Sequence, residues 1–336
     1  MVPSTFVTRA GRKLAFTRLG FGGTSLADFP RPQSAQEVTD LIEAAWQAGE
    51  RYFDTAPLYG LGLSERRLGR ALREKPRASF LLSTKVGRLV VEAEKNDAAN
   101  DTFVFDGRKF VYDYSYDGVM RSFEESLKRL GLDRVDILYV HDPDGRNHNG
   151  RPGSEARLQE LISLGGWRAL DELRSSGTVA AIGCGVNEWE PCARLLELAD
   201  PDLFLIAGRY TLLEQEPLNA LFPQCQKRGV GVVIGGPFNA GALLGGPYYD
   251  YAPITRPIRS RVAALREICE AQGVRIADAA LQFIGAHPVV VSILTGAASV
   301  AEVKTNVESF TRPIPAGFWK VLKDERAINL DAPTPQ

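Results

Sequence analysis

Histidine is scarce in this chain. Only His141, His148 and His287 occur in 336 residues, whereas hydrolysis with bound metal ions calls for several such ligands. His148 lies in a Gly/Asn/Arg/Pro loop and His287 precedes Pro288. Neither is placed like a ligand at a strand end, so no metal is expected and a metallohydrolase is disfavoured. Cysteine is nearly as rare. Cys184, Cys192, Cys225 and Cys269 show neither metal spacing nor a disulfide framework, which makes a reducing cytoplasm the simplest home. Long apolar runs are missing as well. None approaches the roughly 18 residues of a membrane span, and Met1-Val2-Pro3-Ser4-Thr5 lacks the charged-then-apolar order of a signal peptide. Charge of one sign is not in excess either, with 40 Lys and Arg against 41 Asp and Glu. That balance gives no reason to expect nucleic acid or a membrane as partner, and leaves a small molecule. Oligomeric state is not legible.

What the chain does have is apolar residues in quantity, 44% of the total, with no linker or low-complexity stretch dividing them. Residues 1–336 therefore read as one domain, since barrels of alternating strands and helices commonly fill 250 residues or more as a unit. Residues 5–16 read as a hairpin across Ala10-Gly11. Eight strands are then expected, at 19–23, 51–53, 79–85, 135–141, 179–184, 203–207, 231–234 and 289–294, with helical stretches between them. Among the helices, Ser34 to Glu37 carries a capping pattern, 63–72 repeats apolar residues at helical spacing, and further helices are expected at 116–130 and 166–175. Two long loops, 88–115 with Phe103, Phe105, Phe110, Tyr112 and Tyr114, and 142–162 with Asp142, Asp144 and His148, suit a lid or a surface insertion.

Chemistry gathers at strand ends. Phe53-Asp54-Thr55-Ala56-Pro57-Leu58-Tyr59-Gly60 puts a carboxylate at one strand's end and a phenol on the loop behind it, while two other strands end on Lys85 and His141. The carboxyl ends of strands are where such folds keep their sites. A phenol is a poor base near neutrality, with a pKa of about 10. An adjacent ammonium favours the phenolate, a carboxylate keeps that ammonium charged, and an imidazole can hold the substrate oxygen. Singly, Asp54 reads as well as a helix cap, Lys85 as a surface charge and His141 as a core histidine. Four on one rim read as a catalytic set.

These residues, with Ser64-Glu65, Thr84-Lys85, the Asp136-Ile137-Leu138 approach to His141 and the stretch from Gly296 to Asn306, resemble the aldo-keto reductases in order and along most of the chain. The resemblance implies a (β/α)8 TIM barrel closed below by an N-terminal β-hairpin, with Asp54, Tyr59, Lys85 and His141 as its catalytic tetrad. It implies hydride transfer between a nicotinamide and a carbonyl or alcohol, with Tyr59 and His141 meeting the substrate. By similarity Gly23, Thr24 and Asp54 lie beside the cofactor, Asn187 meets the carboxamide, and Gly236, Phe238, Asn239 and Gly241 belong to the pyrophosphate loop. Gly296, Glu302 and Asn306 fall at the adenosine end. Glu302 stands where NADPH-using members carry an arginine, so NAD is expected as the preferred cofactor with NADP possible; read without the resemblance, Glu302 is a helix-start residue and the glycines from Gly20 to Gly23 a tight turn. Tyr112-Asp113-Tyr114-Ser115, His141-Asp142-Pro143-Asp144 and Gly208-Arg209-Tyr210 resemble the branch of L-fucose, D-threo-aldose and L-galactose dehydrogenases and of pyridoxal 4-dehydrogenase. Its members oxidise a sugar or pyridoxal-like hemiacetal. A reductase using NADPH and a non-catalytic nucleotide sensor are the rival readings.

Overall fold

A computed structural model describes residues 3–28, 31–95, 97 and 105–335, so Phe103 lies outside the described residues. Eight parallel strands form a closed barrel: β1 Leu19–Gly22, β2 Tyr52–Asp54, β3 Leu81–Val86, β4 Ile137–His141, β5 Ala181–Val186, β6 Leu203–Ala207, β7 Gly231–Gly235 and β8 Val290–Thr295. Each pairs with its neighbours in chain order, and β8 returns to β1 through Ile293 opposite Leu19. The expected strands fall within about two residues of these bounds. Their buried faces explain the sequence: a strand covered inside by the barrel core and outside by helices reads as an apolar run without alternation.

The hairpin, Pro3–Val7 against Lys13–Thr17, seals the lower end. Leu14 and Phe16 enter the barrel and join Tyr52, Ile137, Tyr139, Leu203, Leu205, Val233 and Val291 in a core separate from the one beneath the helices. Phe16 meets Tyr52 edge to face with ring centroids 4.9 Å apart. Truncating a buried ring of this size costs about 3–5 kcal/mol. Outside the barrel, α1 Ala35–Gln47 begins with the capping box read from the sequence, Ser34 accepting from the Glu37 N–H at 3.2 Å and Glu37 from the Ser34 N–H at 2.8 Å. α2 Leu63–Leu72 packs on α3 Tyr116–Leu130 through Gly69. A Cβ on Gly69 would lie 1.9 Å from the Leu130 carbonyl oxygen, so any larger residue would force the helices apart.

The described parts of the two long loops contain regular structure. Arg88–Glu92 and Arg108–Tyr112 pair as an antiparallel hairpin, and α4 Arg151–Ser163 occupies the second half of 142–162. α5 Gly166–Ser175 follows with the bounds read from its periodicity. Arg88, Val90, Phe110 and Tyr112 alternate too weakly with charge to announce a strand pair, and α4 has almost no apolar stripe to betray it.

Candidate active site

Asp54 closes β2, and its two oxygens are both engaged. Oδ1 accepts from Ser83 Oγ at 2.7 Å and Oδ2 from Lys85 Nζ at 2.7 Å. Lys85 Nζ also donates to the Thr55 carbonyl at 2.9 Å, and both side chains are almost wholly buried. Burial disfavours the ammonium, but the Asp54 carboxylate and the Tyr59 phenol more than offset it, so Lys85 titrates above the ordinary lysine value. Below them a chain of hydroxyls runs into the barrel, Ser83 Oγ to Tyr52 at 3.0 Å and Tyr52 to Tyr139 at 3.3 Å. That chain lets polar atoms enter an otherwise apolar interior without going unsatisfied.

Tyr59 lies on the turn that leaves β2. Leu61 has φ 45° and Gly62 φ 88°, and the Gly62 N–H closes on the Pro57 carbonyl at 2.7 Å. Ser64 fastens the turn by donating to the Gly23 carbonyl at 2.7 Å, and the fully buried Glu65 accepts from Thr84 at 2.7 Å and from Arg129. The Ser64-Glu65 pair is thus a clamp for the tyrosine loop. The phenol is partly exposed, with Lys85 Nζ 4.8 Å from its ring centroid. Burial pushes its pKa above the ordinary tyrosine value, while Lys85 and a hydrogen bond with Thr24 pull the other way. The expected lowering by the lysine is therefore present, but in the protein alone burial outweighs it.

His141 ends β4, its ring perpendicular to that of Tyr59 with centroids 6.0 Å apart. Burial, then the charges of Arg88 and Lys85, hold it well below the usual imidazole range, so it is neutral at pH 7. Its Nδ1 is buried with no hydrogen-bond partner among the described residues. All four residues expected at the rim are brought together.

The positions expected near a cofactor are more varied. A Cβ on Gly23 would meet the Asp54 carbonyl at 2.7 Å and Ser64 Oγ at 2.8 Å, so this glycine is needed to seat the tyrosine loop whatever else it does. Phe238 packs on the main apolar core. Gly236 and Gly241 have φ 57° and 90°, and Gly241 and Gly296 have open space where a side chain would stand. Asn239 donates to the Gly208 carbonyl at 3.0 Å, and its buried Oδ1 has no partner among the described residues. Bare backbone here lets a nucleotide lie close along the strand ends, and the unused Asn239 oxygen suits a hydroxyl or amide donor of such a ligand, not a phosphate oxygen. Asn306 Nδ2 lies 3.4 Å from the Gly296 carbonyl. Glu302 sits in the first turn of the helix Val300–Thr311, and its carboxylate accepts from the Ala298 N–H at 2.9 Å. Asn187 donates to Asp142 Oδ1 at 3.1 Å and, from its backbone N–H, to Asp144 at 2.8 Å.

Arg88 escaped sequence reasoning, and Asp142 was read only as part of a loop and of a family motif. Arg88 Nη2 meets Asp142 Oδ2 at 2.7 Å, both buried. Arg88 looked like the start of a loop, although its place three residues after Lys85 was the available signal. Across the mouth, Arg146 and Arg209 both grip Asp250, at 2.7 and 2.8 Å, and Tyr251 beside it overhangs a cavity of about 20 Å³ next to Gly208, Gly236 and Asn239. A cavity of about 890 Å³ lies elsewhere, between Leu213–Asn219 and the segment from Arg326 to Asp331, and none of the four rim residues lines it.

Residues 18–324 match the Aldo/keto reductase family model. The chain is 42% identical over 332 residues to a pyridoxal 4-dehydrogenase from Microbacterium luteolum, covering 94% of this chain and 96% of that one. It is 36% identical to a D-threo-aldose 1-dehydrogenase from Pseudomonas sp, with 99% of each covered. Its fold is similar to that of the holo form of aldo-keto reductase AKR11C1 from Bacillus halodurans, at a TM-score of 0.73, 24% identity and 96% of each chain.

Proposed function

The chain belongs to the aldo/keto reductase family, and from that premise we propose that it oxidises the carbon of a cyclic hemiacetal to a lactone, with hydride passing to NAD. The observation that carries this reading is the buried Lys85–Asp54 pair beside Tyr59 and a neutral His141. Nicotinamide, when bound, supplies the hydride acceptor. The Tyr59 phenolate, stabilised by Lys85, takes the proton of the hemiacetal hydroxyl as the C–H bond breaks and becomes the neutral phenol, and Asp54 keeps Lys85 charged. His141 donates from one ring nitrogen to the same oxygen and fixes its position. Asn187 meets the carboxamide, Gly23 and Thr24 flank the nicotinamide, and Gly236, Phe238, Asn239 and Gly241 enclose the pyrophosphate. Gly296, Glu302 and Asn306 face the adenosine.

An aldose is the substrate proposed first, of the L-fucose, D-threo-aldose or L-galactose kind. Pyridoxal is the second, favoured by the 42% identity to a pyridoxal 4-dehydrogenase; it too closes to a hemiacetal, and its oxidation asks the same of Tyr59. NAD is preferred because the Glu302 carboxylate repels a 2′-phosphate and accepts from a ribose hydroxyl. The free, buried thiols of Cys184, Cys192, Cys225 and Cys269 suit a reducing cytoplasm. A panel of aldoses and pyridoxal, followed by NADH absorbance with NAD and with NADP, tests the whole reading. Lactone formation from one of them with a lower Michaelis constant for NAD is the expected result. Aldehyde reduction with NADPH alone would replace it, and nucleotide binding without turnover on any substrate would favour a sensor.

A further inference from the structure

Asp142 follows His141 directly, and the mechanism above makes no use of it. Its carboxylate is a meeting point: Arg88 Nη2 donates to Oδ2 at 2.7 Å, Asn187 Nδ2 donates to Oδ1 at 3.1 Å, and His141 Nε2 stands 3.5 Å from Oδ2. The backbone is held as firmly. Asp142 has φ 47°, in the left-handed region that side chains other than those of Asn and Asp seldom enter. It is kept there by its N–H to the Gly185 carbonyl at 2.8 Å, by His148 against its own carbonyl at 3.1 Å, and by Tyr114 donating to the His141 carbonyl at 2.7 Å. A buried aspartate so thoroughly held presents its side chain in one direction only.

The consequence falls on Asn187. A side-chain amide can turn either its oxygen or its nitrogen to a ligand. With Nδ2 committed to Asp142, Asn187 is left offering its carbonyl oxygen, the acceptor that a carboxamide NH2 requires. We infer that Asp142 is a positioning residue, which sets the face of Asn187 shown to the nicotinamide and steadies His141, while Arg88 pulls its carboxyl group toward the charged form. The inference rests on the reading of Asn187 as the carboxamide contact. Asp54 cannot take over the task, being committed to Lys85 and Ser83, and Asp144, which holds the backbone N–H of Asn187 at 2.8 Å, meets Nδ2 only at 3.5 Å, so Asp142 is the nearer acceptor of the amide.

Binding separates a positioning role from a structural one, because ADP-ribose shares the adenosine and pyrophosphate of NADH but has no carboxamide. Asp142→Ala should weaken NADH about tenfold by fluorescence titration and leave ADP-ribose within about twofold. Asn187→Ala should do the same, and the double variant should be no worse than either single one, since the two act through one contact. Asp142→Asn, which keeps an acceptor oxygen for Asn187, should recover most of the NADH affinity. Equal weakening of both ligands, unchanged NADH affinity in Asp142→Ala, or losses that multiply in the double variant would each overturn the inference. Wild-type protein that binds ADP-ribose as tightly as NADH would instead strike at the carboxamide reading on which it stands.

Discussion

The two ends of one strand treat a buried carboxyl group in opposite ways. Glu50 lies just below β2 and Asp54 closes it at the top, and both are nearly inaccessible to solvent. Asp54 has a lysine and a serine on its oxygens. Glu50 has an Oε2 with no partner among the described residues, and burial pushes its pKa up to about 8. The lower end therefore holds a neutral acid that contributes bulk, and the upper end a charged pair assembled for use. Burial alone does not make a site; the difference lies in what was brought to meet the carboxylate.

Removing the group that the upper pair serves should have the largest effect. Tyr59→Phe should lower kcat about 10³-fold while NADH affinity changes less than about twofold, measured by steady-state kinetics and titration. Because burial raises the Tyr59 phenol, the wild-type oxidation rate should climb with pH from neutrality into the alkaline range, and that limb should vanish in the variant. Lys85→Met comes next, with kcat down about 10²-fold. It also leaves Asp54 unpaired, so thermal unfolding should show a loss of about 3–5 kcal/mol. Unchanged stability would mean that the two ends of β2 are more alike than their contacts say.

Arg88→Met should have a smaller effect, raising the Michaelis constant for NAD several-fold. Burial already pushes Asp142 up to about 7, with Arg88 the first charge pulling it down, ahead of Lys85 and Arg146 and against Asp144. Without Arg88 the carboxylate should form only at higher pH, moving the acidic limb of kcat/KM upward. Glu50→Gln has the smallest effect on catalysis, less than about twofold, and the opposite sign in stability. A carboxyl raised from 4.5 to about 8 destabilises the fold progressively across that interval and not below it. The glutamine variant should match the wild type near pH 4 and exceed it by about 1–3 kcal/mol at pH 8.5, after allowing for an amide that also lacks a partner. A loss of stability at pH 8.5 would show that Glu50 has a counter-charge.

The barrel was legible because its strands are covered on both faces and so read as apolar runs, and because Asp54, Lys85 and His141 each stop such a run with a polar group. Capping at Ser34 and the stripes of α2, α3 and α5 were legible for equally local reasons. The Arg88–Asp142 pair was not. It joins residues 54 positions apart across two strand ends, and only closure of the barrel makes them neighbours. The hairpin Arg88–Glu92 with Arg108–Tyr112 was missed because its strands are mixed in polarity, and the role of Glu65 was hidden because its partners, Thr84 and Arg129, belong to two other elements.

Closure itself has a bearing on synthesis. The seam joins Leu19 to Ile293 and Arg18 to the Val290 carbonyl at 2.9 Å, contacts that bring together segments more than 270 residues apart in the chain. Pairings so distant form late, because the intervening polymer must be gathered first. A ribosome must release the segment that holds β8 before the ring can shut.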